Sequence, residues 1–203
     1  MSISVYKGDL PDNFKVSESI AIDTETLGLN PKRDRLCLVQ LSTGDGTAHI
    51  VQFERGKYDA PNLKKLMTDE SVTKIFHFAR FDVAVMKEYL NINCTPVYCT
   101  KIASRLSRTY TDRHGLKEIC RELLGVNLDK QQQSSNWGAQ NLSQDQKLYA
   151  ANDVLYLHKL KTQLDEMLLE NGRRDLAKQC FNFLETRANL DLQGWTDTDI
   201  FAH

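Results

Sequence analysis

SIAIDTETLGLN, residues 19–30, runs an apolar segment straight into two acids. Ser19-Ile20-Ala21-Ile22 reads as the end of a buried strand, and Asp23-Thr24-Glu25 continues it. Side chains alternate along a strand, so Asp23 and Glu25 face the same way, about 7 Å apart along the chain. Two carboxylates placed like this repel each other, and burial adds to the penalty on their charge. Something nearby has to compensate that charge.

Working outward, Val16–Thr24 is one strand, and Leu29 to Asp34 (LNPKRD) is turn chemistry. Arg35–Leu41 is the next strand, and Gly44-Asp45-Gly46 turns tightly into Ala48–Val51. Strands joined by short turns predict an antiparallel meander, with Ile3–Tyr6 as a further strand before it. The pattern then changes to strand-helix alternation. Helices are expected at Pro61–Met67, Phe81–Leu90, Ile102–Leu106 and Leu116–Leu124, and strands at Lys74–His77 and Pro96–Cys99. The fold class is therefore α/β: a mixed central sheet, first an antiparallel meander and then parallel strands, flanked by helices. Residues 127–143 have no useful period and read as a loop. Ser143 and Gln146 form a capping box, so a helix begins at Gln144 and runs to Glu170, with a break near Asn152. After Asn171-Gly172, one last helix carries Leu176, Cys180, Phe183 and Leu184 on one face.

The 203 residues, 41% hydrophobic and 26% charged, suit one globular domain with a short appendage. Twenty-six basic and 27 acidic residues leave a net charge of −1. That balance argues against a grip on long nucleic acid through bulk positive charge, while short nucleic acids and small phosphorylated ligands stay open. The 5 cysteines (Cys37, Cys94, Cys99, Cys120, Cys180) are an odd number without a CxxC pair, which predicts reduced thiols and a cytoplasmic location. A polar mixture follows Met1 and no long apolar segment occurs, so neither export nor membrane spanning is expected.

Two further acidic segments complete the pattern. Asp82 opens a helix in FHFARFDVAVM, where favourable interaction with the helix dipole is the bland explanation. Tyr149 and Asp153 in YAANDVLYL lie four apart on one helix face, among Ala150, Ala151, Val154, Leu155 and Leu157. An acid in such apolar company needs a partner, and no Lys or Arg nearby shares its face. Acids on three separate elements converge only if cations neutralise them. Oxygen-rich sites without an EF-hand loop or clustered His and Cys favour Mg²⁺ or Mn²⁺. Two such ions about 3.5–4 Å apart can activate water and stabilise the leaving oxygen in phosphodiester hydrolysis.

Residues 16–168 resemble the DEDD exonuclease superfamily, specifically its ribonuclease D branch. IDTETLGL resembles its first motif, HFARFD its second and YAANDVLYL its third, and LDKQQQSSNW is similar to the stretch between. A tyrosine four residues before the last acid marks the DEDDy subgroup. The resemblance implies a ribonuclease H-like exonuclease fold and 3′-5′ hydrolysis to nucleoside 5′-monophosphates with two divalent metal ions. By the same resemblance, Asp23, Glu25 and Asp153 hold the first metal, Asp23 bridges to the second, and Asp82 supports the second. Tyr149 orients the attacking water. Substrate contacts are expected from Thr24, Thr26, Leu27, His77, Phe81, Gln133 and Tyr149. Residues 1–170 are then the exonuclease domain, and 171–203 are a C-terminal helix and tail expected to make an oligomer contact.

Cys99-Thr100 stands where relatives often have Asp-Thr, which leaves the four acids intact. The chain ends at His203, where ribonuclease D continues into helical nucleic-acid-binding domains, so very short RNA is the expected substrate. A core-only group within the family cuts dinucleotides and assembles as ring-like octamers, and FHFARFDVAVM and RTYTDRHGLK resemble it. The implied partners are short single-stranded RNA and copies of the chain itself. Arg113 and His114 are candidates for capping a terminal 5′ phosphate, although a solvated loop explains them as well. Alternatives are ribonuclease D-type processing of longer RNA, a DNA-active exonuclease, an idle nucleic-acid-binding module and an assembly scaffold. Loss of a motif acid would favour an idle module, and none is lost.

Overall fold

A computed structural model describes residues 2–129, 132 and 134–203. Gln133, expected to contact substrate, lies outside the described residues.

The chain forms β1 (Ser2–Lys7), β2 (Ser19–Thr26), β3 (Leu36–Ser42) and β4 (Thr47–Gln52), then α1 (Pro61–Thr68), β5 (Thr73–Phe76), α2 (Ala79–Leu90) and β6 (Val97–Cys99). Six helices follow: α3 (Thr100–Ser107), α4 (Leu116–Leu124), α5 (Gln144–Leu155), α6 (Leu157–Glu170), α7 (Arg174–Asn182) and α8 (Leu184–Leu192). The six strands make one sheet in the order β1-β4-β3-β2-β5-β6. The expected meander is present, because β3 pairs antiparallel with both β2 and β4. Its tight turn needs Gly44 (φ +86) and Gly46 (φ +85) in the left-handed region, where a side chain would be strained. Strands β5 and β6 then add in parallel beside β2, while β1 pairs in parallel with β4 at the other edge.

Alternation sorts the strand residues onto two faces. Ile20, Ile22, Val39 and Leu41 pack with Leu63 and Met67 of α1, Val83 and Met86 of α2, and Leu184 and Ala188 of α8. On the opposite face Ala21 and Ile75 meet Leu157, Leu160 and Leu164 of α6, and Leu38 and Ile50 meet Ala150 of α5 and Trp137 of the loop before it. The sheet is thus a layer between two helical layers, with β3 buried along its whole length.

Helices differ from expectation in two places. The capping box at Ser143 and Gln146 starts α5 as expected, but the break falls at Tyr156 rather than near Asn152. The single last helix is two helices, interrupted at Phe183. That interruption breaks the proposed apolar stripe: Leu184 turns inward against the core, whereas Leu176 and Phe183 stay 50% and 39% exposed. Among the described residues no helix is long and apolar enough to cross a membrane.

Candidate active site

Parallel pairing between β2 and β5 runs from Ser19 opposite Thr73 to Ala21 opposite Ile75. Strand β2 therefore extends beyond its neighbour, carrying Asp23 opposite Gln40 and Glu25 opposite Leu38 of β3. A bulge between Glu25 and Thr26 ends the regular ladder. The first turn of α2, entered from β5, lies at this carboxyl end of the sheet, where open α/β sheets place their ligands. The helix begins abruptly: Phe78 sits in the left-handed conformation (φ 70) with no side-chain cap. Asp82 follows in the first turn, buried, and its Oδ1 accepts a hydrogen bond from Thr24 Oγ1 at 2.7 Å. Thr24, between the two strand acids, therefore turns to the other face and holds the third.

From the α5 side, Tyr149 and Asp153 project from successive turns. One oxygen from each of Asp23, Glu25 and Asp153 lies within 4.8 Å of the others. Asp82 stands beside this trio, and its charge and those of Asp23 and Asp153 oppose ionisation of Glu25. Burial among protein atoms pushes the Asp23 carboxyl up to about 7, partly offset by the Thr24 backbone hydrogen bond. Burial and then the neighbouring acids push Glu25 to about 10. Asp82 is raised by burial first and Asp23 second. The Tyr149 phenol is likewise raised, by burial and then by Asp153, Glu25 and Asp23. Such a concentration of buried negative charge fits a divalent cation held by oxygens. Gln40, fully buried on β3, donates from Nε2 to Asp23 Oδ2 at 3.4 Å.

The four acids and Tyr149 line a cleft of about 580 Å³. Of the expected substrate contacts, Thr24, Thr26, Leu27, His77, Phe81 and Tyr149 all face it. Thr26 Oγ1 donates to Gly28 O at 2.5 Å, so its hydroxyl shapes the turn that presents Leu27, which is 50% exposed. His77 Nδ1 lies 2.9 Å from Thr100 Oγ1, which in turn donates to Phe76 O at 3.1 Å. The Thr100 hydroxyl, fully buried, therefore fixes the imidazole. Arg113 and His114 do not line the cleft: Arg113 gives its carbonyl to the buried Arg108, and His114 Nδ1 meets Ser104 Oγ at 2.9 Å. Among the described residues, the cations on the cleft wall are instead Lys101 and Lys117. Sequence reasoning missed both, along with Phe78, whose ring lies 4.2 Å from Lys101 Nζ. Nothing in the local sequence marks Lys101, whereas Lys117 ends the quoted RTYTDRHGLK stretch. Trp137 lay within the quoted LDKQQQSSNW stretch, as Phe78 lay within HFARFD, and the Trp137 ring packs on Tyr149 at 5.8 Å between centroids.

A family profile described as 3′-5′ exonuclease matches residues 9–169. The chain belongs to this 3′-5′ exonuclease family, and its sheet and helices form the ribonuclease H-like exonuclease fold. Over its full length it is similar to NrnC of Brucella melitensis. The structure of that protein bound to pGG is 60% identical with a TM-score of 0.96, covering 100% of this chain and 99% of that one. A second structure, with bound Mg²⁺, is 58% identical with a TM-score of 0.95, covering 100% of each chain. DNA polymerase I of Aquifex aeolicus is 36% identical over 154 residues, 76% of this chain and 25% of that protein. Ribonuclease D of Bartonella henselae is 30% identical over 157 residues, 77% of this chain and 38% of that protein. The chain thus spans well under half the length of these two curated relatives.

Proposed function

We propose that this chain is a metal-dependent 3′-5′ exoribonuclease that cuts very short RNAs, dinucleotides foremost, into nucleoside 5′-monophosphates. The observation that carries the reading is the meeting of Asp23, Glu25 and Asp153, from a strand and a helix that line one cleft, within 4.8 Å. Asp82 stands against them from a third element. Binding of pGG and of Mg²⁺ by NrnC, at 60% and 58% identity, supports both the substrate class and the cation.

Asp23, Glu25 and Asp153 would hold one Mg²⁺ or Mn²⁺, with Asp23 shared and Asp82 supporting a second. Bound cations supply charge for the phosphate and lower the pKa of water. The protein residues do the rest. Tyr149, its phenol held protonated by burial and the adjacent acids, donates a hydrogen bond to orient the attacking water. Gln40 restrains the Asp23 carboxylate. The exposed Leu27 and the fixed His77 contact the terminal nucleotide, and Lys101 and Lys117 offer positive charge to its phosphates.

A homo-oligomer, an octamer by family resemblance, is part of the proposal, with residues 1–170 as the catalytic domain and 171–203 contributing to assembly in the cytoplasm. Exposure of Trp195, Ile200 and Phe201 supports a role for the tail in that contact. Hydrolysis of a 5′-labelled dinucleotide tests the chemistry. Cleavage stops in chelator, returns with Mg²⁺ or Mn²⁺, and yields 5′-phosphates. Cleavage that survives chelation, or 3′-phosphate products, would overturn it.

A further inference from the structure

The matched family residues end at 169, yet similarity to NrnC continues through the whole chain. Helix α8 and the turn after it therefore need an explanation beyond the shared core. Their shortest polar contacts to α2 converge on one residue, Arg80. Asp191, its side chain only 7% exposed, accepts from Arg80 Nε at 2.6 Å and from Arg80 Nη2 at 2.7 Å. The same Arg80 Nη2 donates to the carbonyl of Thr196 at 2.6 Å. Arg187 closes the arrangement from within α8, donating to Asp191 Oδ1 and to the Trp195 carbonyl, each at 2.6 Å.

Arg80 lies in the same first helical turn as Asp82. That turn has no side-chain cap and is entered through Phe78 in a left-handed conformation, so its own sequence does little to fix it. At one end it is held by the fork from Asp191, and at the other by the Thr24 hydroxyl on Asp82. We infer that Asp191 is a positioning residue for metal binding: through Arg80 it sets the first turn of α2, and thereby the place of the Asp82 carboxylate beside Asp23 and Glu25. This rests on the metal-dependent reading of the cleft. Residues 184–196 are then a brace for the acidic site as well as candidates for an oligomer contact.

A double-mutant cycle tests the inference, with Mn²⁺ binding to the full chain measured by electron paramagnetic resonance in the absence of RNA. D191N and R80M should each weaken Mn²⁺ binding about tenfold, as loss of a group that orients a ligand does. D82N/D191N should bind no more weakly than D82N alone, because both changes act through one carboxylate. K87M, which breaks the 3.6 Å Lys87–Glu185 pair farther along α2, should bind Mn²⁺ like the wild type. In cleavage of a dinucleotide, D191N should lower kcat with KM unchanged. Wild-type Mn²⁺ affinity in D191N and R80M, or losses in D82N and D191N that multiply, would overturn the inference. R80M leaves the Arg187–Asp191 pair in place, so it decides the matter if D191N fails to fold. A wild type that neither binds Mn²⁺ nor cuts RNA would instead sink the proposed function, and this inference with it.

Discussion

Asp23, lifted to about 7, and Glu25, lifted to about 10, hold protons in the folded, metal-free chain that the unfolded chain releases near their ordinary values of 3.8 and 4.5. A raised pKa stabilises the fold fully below the unfolded value, and that contribution disappears as pH rises through the folded value. In chelator, the melting temperature should therefore fall between about pH 5 and pH 8, and Mg²⁺ should reduce the fall because its binding favours the deprotonated acids. Scanning fluorimetry at several pH values checks this, and a flat metal-free profile would contradict it. Asp23→Ala, Glu25→Ala or Asp153→Ala should each lower the cleavage rate at least about a hundredfold with little change in the fold, as removal of one electrostatic transition-state group does. A single-turnover rate near that of the wild type in any of them would remove that acid from the machinery. The acids were legible before the structure because a strand ending in Asp-x-Glu and a helix with Tyr and Asp one turn apart both break binary patterning. Lys101 and Gln40 were not, since a lysine at a helix start or a glutamine in an apolar strand has no local signature, whereas Lys117 ends the quoted RTYTDRHGLK stretch without being singled out there. Lys101 reaches the cleft, and Gln40 reaches Asp23, only through the way the elements pack.

At the scale of elements, strong local chemistry was read correctly and weak chemistry was not. The capping box starts α5 where expected, with Gln146 Nε2 also donating to Ser135 Oγ at 2.7 Å and so tying the preceding loop to the helix that carries Tyr149 and Asp153. Ser143→Ala should cost about 1 kcal/mol of stability, the usual loss for a removed N-cap, measured by urea unfolding. An unchanged midpoint would mean that the loop does not depend on this cap. Helix α1 shows what a sequence hides. No residue adjacent to its start caps it, and Asp9, on a distant segment, accepts from the backbone N–H groups of Asn62 and Leu63 at 2.9 Å each. The split at Phe183 escaped prediction for a related reason. An apolar residue with no Gly or Pro beside it gives no stop signal, and packing of Leu184 and Ala188 against α2 turns the chain there instead.

For the whole molecule, the proposed preference for short RNA rests on near-neutral charge and the acid-lined cleft rather than on a long cationic track. Phe201, 78% exposed, and Ile200, 45% exposed, form an apolar end that a neighbouring copy would cover. Replacing both with serine should lower the mass seen by light scattering, and an unchanged mass would place the contact elsewhere. The balance of 26 basic and 27 acidic residues was legible in the sequence. The packing of α8 against α2 was not, because it depends on a long-range ion pair between Arg80 and Asp191. The central claim is tested most directly by single-turnover cleavage of 5′-labelled RNAs of two and twenty nucleotides, at equal concentration with Mg²⁺. The dinucleotide should be cut faster, to nucleoside 5′-monophosphates. Faster cleavage of the twenty-mer, or no Mg²⁺-dependent cleavage of either RNA, would contradict the account.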